Sequence, residues 1–169
     1  MMQHHFTMLA RYNAWANARL YDAAGRMGAD YGKDAGAFFG SMHGTLNHIL
    51  VADRIWLRRL TGEGPEHARL DERPYDDLAS LREAREAEDG RIVALIASLS
   101  DDDLSGSFTY TPITDPEPVT QRRAPVLTHV FNHQTHHRGQ AHTILTSLGH
   151  EGPAMDLIYF QREARLGTA

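Results

Sequence analysis

The chain has 169 residues, 41% of them apolar and 23% charged, which is ordinary for a globular protein and enough to bury one core. Lys and Arg total 17 against 22 Asp and Glu, and the formal charge of -5 excludes a broad nucleic-acid surface, which needs a basic excess to displace counterions. No cysteine is present, so disulfides, a thiolate nucleophile and any cysteine-held metal are excluded. No run of about 18 apolar residues argues for a membrane span. Met1-Met2-Gln3-His4-His5-Phe6 has neither the basic start nor the apolar stretch of a secretory signal. A cytoplasmic protein with no membrane or nucleic-acid partner is expected.

Helical periodicity then marks four long segments, separated by Gly, Pro and Asp. The first covers about Gln3 to Met27, with a stripe of Phe6, Leu9, Asn13, Ala16, Leu20, Ala23 and Met27. The second covers about Ala37 to Leu60, marked by Phe38, Met42, Leu46, Ile49, Trp56 and Leu60, and Thr61-Gly62-Glu63-Gly64-Pro65 stops it. A polar loop leads to Pro74, and Asp76 is the expected N-cap of a third helix reaching Leu99. Ser107 to Thr111 and Val119 to Gln121 favour a short irregular hairpin around a Pro-rich turn. The fourth helix is expected from Pro125 to Gly149, and a short last helix from Met155 to Arg165. The fold class predicted is all-α, an up-and-down four-helix bundle with an irregular insertion before the fourth helix, forming a single domain over residues 1–169.

Five of the 11 histidines, His129, His133, His136, His137 and His142, fall in one short stretch. The stripe of the fourth helix reads Val126, Val130, His133, His137, Ala141, Ile144 and Leu148, so two histidines hold core positions at i, i+4 spacing. Two imidazoles one turn apart, about 6 Å along the axis, project from one face and can converge on one ion. His48, flanked by Leu46, Ile49 and Leu50 on the second helix, is the third candidate ligand, with His43 as its substitute if the bundle rotates differently. His129 and His136 read as flanking residues, and His4, His5, His67 and His150 as surface ones. The competing reading is a metal-free core in which each imidazole is hydrogen-bonded. Three neutral imidazoles leave the ion close to its full charge with a position open for water or substrate, and zinc, nickel and iron(II) all accept them. Asn13 either faces this cavity or bonds between helices. Gln140 and Asp156 are candidates to orient an imidazole, Asp156 equally a helix cap. Arg138 pairs with an anionic substrate or, more simply, forms a surface salt bridge. Tyr12, Trp15 and Trp56 read as core or interface aromatics.

Arg11-Tyr12-Asn13-Ala14-Trp15-Ala16-Asn17, Thr45-Leu46-Asn47-His48-Ile49-Leu50 with Asp53 and Trp56, and Asn132-His133-Gln134-Thr135-His136-His137-Arg138-Gly139-Gln140 together resemble the DinB-like family over nearly the whole chain. The resemblance implies a four-helix bundle, often a homodimer, with a divalent ion held at His48, His133 and His137. It also implies activities such as thiol-dependent S-transfer and maleylpyruvate isomerisation, with a low-molecular-weight thiol as cosubstrate and a small-molecule electrophile as substrate. Hydrolysis by a metal-bound hydroxide and a non-catalytic, metal-binding stress-response module are the alternatives. Fold alone does not choose among them.

Overall fold

The computed structural model describes residues 1–166, so the last three residues of the expected domain lie outside it. Helix α1 (Met2–Ala24) stops short of Met27, and a 3-10 turn over Gly28–Gly32 follows. Gly28 takes φ 54, a left-handed conformation that ends a right-handed helix, although Met27 still packs in the core. Helix α2 (Met42–Thr61) starts five residues later than its periodicity suggests. Ala37 and Gly40 pair in an isolated bridge, and Ser41 caps the helix by accepting from the Gly44 N–H at 3.1 Å. Phe38, expected on the buried stripe, is therefore 84% exposed.

Asp77, not Asp76, caps α3 (Leu78–Ser98), accepting from the Ser80 N–H. A capping box between Ser100 and Asp103 starts the unexpected short helix α4 (Asp101–Ser105). The expected hairpin follows: β1 (Ser107–Tyr110) and β2 (Val119–Arg122) are antiparallel, with Thr109 opposite Thr120. Helix α5 (Arg123–Ser147) and the short α6 (Leu157–Glu163) complete the described chain. Tyr12 and Trp15 of α1 pack on Phe160 of α6 in a small apolar cluster, the core alternative of the two expected for those aromatics. Among the described residues no helix is long and apolar enough to cross a membrane.

The long helices form the expected all-α bundle, and around its axis the order is α1, α3, α2, α5. Arg82, near the start of α3, reaches Asp22 near the end of α1 at 2.6 Å, so these two are antiparallel. Asp53 meets Arg85 and Arg54 meets Glu88 in step, so α2 and α3 run the same way. The directions are up, down, down, up, where a strict up-and-down bundle alternates. The cause is the segment 62–77, which is no tight turn. It runs back along α2, setting the Leu70 carbonyl on His48 and the Tyr75 N–H on Asn47, and delivers α3 to the end where α2 began.

Two apolar clusters fill the ends of the bundle, one around Leu20, Leu46, Leu81 and Leu145, the other around Phe6, Leu57, Ile92 and Phe131. Between them lies a buried polar layer. Arg85 Nη1 donates to Asp53 Oδ2 at 2.7 Å, and its Nη2 lies 3.0 Å from Asp89 Oδ1. Asn13 and Asn17 donate to Asp89, Gln134 donates to Asp53, and Arg138 donates to Asn13, Asn17 and Gln134. Asn13 thus takes the helix-to-helix role. Arg138 is 2% exposed, which corrects both expectations for it: neither a surface pair nor a substrate is within its reach.

Candidate metal centre

His133 and His137 leave the same face of α5, and their ring centroids are 4.3 Å apart. From the facing helix α2, His48 Nε2 lies 3.2 Å from His137 Nε2 and 3.4 Å from His133 Nε2. Nitrogens bound to one tetrahedral zinc at about 2.0–2.1 Å stand roughly 3.3–3.4 Å from each other. The three atoms could therefore hold one metal ion with little rearrangement.

Their protonation states point the same way. The Leu70 carbonyl, which can only accept, lies 2.7 Å from His48 Nδ1, so Nδ1 carries the proton and Nε2 presents a lone pair. Gln140 Oε1, 2.8 Å from His137 Nδ1, fixes that ring in the same tautomer, the orienting role for which Gln140 was a candidate. Two lone pairs facing each other at 3.2 Å repel unless a cation lies between them. A proton is a poor candidate. Burial pushes His48 down to about 4, against the pull of its bond to Leu70, and pushes His133 down to about 3, with His137 and His48 adding to the effect. Burial also lowers His137. At neutral pH all three imidazoles are neutral, the state a metal ligand needs.

His48 and His137 are buried and His133 is half-buried, so the centre is closed on the helix side and reached past His133. Phe39, which periodicity did not single out, stacks on His48 with centroids 3.8 Å apart and planes at 17°. Gly44 makes this possible: a Cβ there would stand 2.1 Å from the Phe39 carbonyl oxygen. Gly44→Ala is expected to push Phe39 off His48 and weaken divalent-metal affinity roughly tenfold, in the range of lost outer supports. Competition against a chromophoric chelator measures this, with circular dichroism unchanged.

The remaining histidines sort by contact. His43 bonds the Tyr75 carbonyl at 2.8 Å and faces Tyr31, so it does not substitute for His48. His129 and His136 are exposed flanking residues, His129 against Trp56 and His133. His67 and His150, expected at the surface, are tied to Glu72 at 2.7 Å and Asp30 at 3.0 Å. Asp156 is exposed at the N-cap of α6 without capping it, and no hydrogen bond joins it to an imidazole.

A pH dependence follows for the metal-free protein. Below the ordinary histidine value of 6.5 the unfolded chain binds protons that folded His48 and His133 refuse until about 4 and 3, so acid favours unfolding. Asp53 acts oppositely: burial raises it from 3.8 to about 6 despite Arg85, so in that window the folded state binds the extra proton. The imidazoles outnumber the one carboxyl. Stability should therefore fall from pH 6.5 to pH 4, and urea titrations at pH 7 and pH 5 read the difference.

The DinB family model matches residues 1–167. No curated protein matches the chain.

Proposed function

The chain belongs to the DinB family, and from that membership we propose that it holds one divalent ion, zinc, nickel or iron(II), through His48, His133 and His137 and works as a metal-dependent enzyme of the thiol S-transferase type. The observation that carries the reading is the convergence of three neutral imidazoles whose Nε2 atoms face one point. Three neutral ligands leave a bound ion its charge and an open position, which suits reaction more than structure. When bound, the ion would supply Lewis acidity, favouring the anionic form of a thiol or polarising an electrophile.

The chain's own groups do the positioning. Leu70 and Gln140 aim two of the imidazoles, and Phe39 covers the His48 ring and keeps water from it. The protein has no cysteine, so the reacting thiol must come from a low-molecular-weight cosubstrate. The substrate is then a small electrophile, and a homodimer is the proposed assembly, tested by sedimentation equilibrium. Turnover of model electrophiles by metal-loaded protein, with and without added thiol, tests the chemistry. Strict dependence on thiol is the expected result. Equal turnover without it would replace transfer by hydrolysis, and unfolding on chelation with no turnover would make the ion structural.

A further inference from the structure

Farther along α2 from His48, a cavity of about 340 Å³ opens between that helix, residues 66–67 and the hairpin. Arg59 forms one wall. Its guanidinium packs against two touching rings, 4.5 Å from the centroid of Trp56 and 4.7 Å from that of Tyr110, which are themselves 5.2 Å apart. Its one hydrogen bond is a 3.5 Å contact to the Thr111 carbonyl, and no carboxylate among the described residues pairs with it. Neighbouring Arg58 is different, being paired with Glu66 at 3.5 Å and the Gly64 carbonyl at 2.8 Å. Burial lowers the pKa of Arg59, the mark of a charge partly stripped of water and not repaid by a counterion.

His67 lines the same cavity and supplies a second, independent observation. Its side chain is 5% exposed, its Nδ1 lies 2.7 Å from Glu72 Oε2, and its Nε2 is buried with no partner. The bond to His67, with those from the Arg69 and Ala68 N–H groups, holds Glu72 below its ordinary value, so it is an acceptor only. Nδ1 is therefore the donor to Glu72, and Nε2 is left buried without a partner. Two rings stand between Arg59 and the histidine cluster: Trp56 lies 5.3 Å from His129 between centroids, and His129 lies 5.8 Å from His133.

We infer that this cavity is a subsite for a small organic anion, whose carboxylate pairs with Arg59 and whose hydroxyl or N–H donates to His67 Nε2. A planar guanidinium already packed on two rings suits the two-point recognition of a carboxylate and loses little freedom on binding. As a substrate site the cavity rests on the proposed function, naming its electrophile as a carboxylate. As an anion site it rests on Arg59 and His67 alone.

Calorimetric titration of the metal-free protein with L-malate tests it, beside succinate, which lacks the hydroxyl. Malate is expected to bind, succinate several-fold more weakly, and Arg59→Gln to weaken malate roughly tenfold or more. Arg59→Lys, which keeps the charge but not the fork, should fall between, and equal melting temperatures show that the variants fold. No malate binding, or binding indifferent to Arg59→Gln, overturns the subsite. Binding that requires added zinc and ignores Arg59 places the anion on the ion, sinking the subsite and sparing the metal reading. Arg59-dependent binding in a protein that takes up no metal spares the anion site and sinks the enzyme.

Discussion

Protein carrying His133→Ala and His137→Ala together is expected to purify folded and to retain no divalent ion, where the wild type retains about one equivalent of zinc, nickel or iron(II). The two rings contribute two of the three Nε2 atoms that meet within 3.2–3.4 Å of His48, and one remaining imidazole cannot compete with water for an ion. The variant should nevertheless fold, because the apolar clusters at both ends of the bundle and the buried polar layer do not use either ring. Binding to the native state alone stabilises it by about 2.7 kcal/mol at a hundredfold excess over Kd. Added zinc should therefore raise the melting temperature of the wild type by several degrees and leave the variant unmoved. Elemental analysis of untagged protein, followed by melting curves with and without zinc, reads both. If neither protein holds metal after incubation with all three ions, the histidines serve the core and the enzyme reading falls with the site.

Arg85→Met should produce the largest loss of stability, about 3–5 kcal/mol at pH 7, the cost of leaving buried charge unpaired. Arg85 is 1% exposed and bridges Asp53 on α2 to Asp89 on its own helix. Burial opposes its charge, and Asp89 and Asp53 hold it charged all the same. Without it, two carboxylates remain inside with only the amides of Asn13, Asn17 and Gln134 for partners. For a chain of this length the melting temperature should drop on the order of 10 °C. Adding Asp53→Asn to Arg85→Met removes one unpaired charge and should regain part of the loss. Urea titration of the three proteins is the measurement. A cost under about 1 kcal/mol for Arg85→Met would mean that water already reaches the layer and that the network does not set the alignment of α1, α2, α3 and α5.

What local spacing encodes could be read directly. The i, i+4 pair His133 and His137 sits on one face of any α-helix, whatever it packs against, and Gln140 lies one turn from His137 for the same reason. His48 could be nominated because its apolar neighbours place it beside a buried face. Other groups drew no reading from the sequence. Arg85 and Asp89, at i, i+4, become an internal ion pair only through the packing of the other helices over them. Arg138 was misread for the same reason.

By itself, then, the sequence determined the four long helices, the short last one, the hairpin and the two histidines of α5, because these depend on periods of a few residues and on capping chemistry. The tertiary structure alone decided the parallel course of α2 and α3, the Leu70 carbonyl that orients His48, the Phe39 ring laid on it and the packing of Arg59 against two aromatics. Each joins groups far apart along the chain. Such contacts follow from how whole helices and the 62–77 segment fit together in space, which no local pattern of residues specifies.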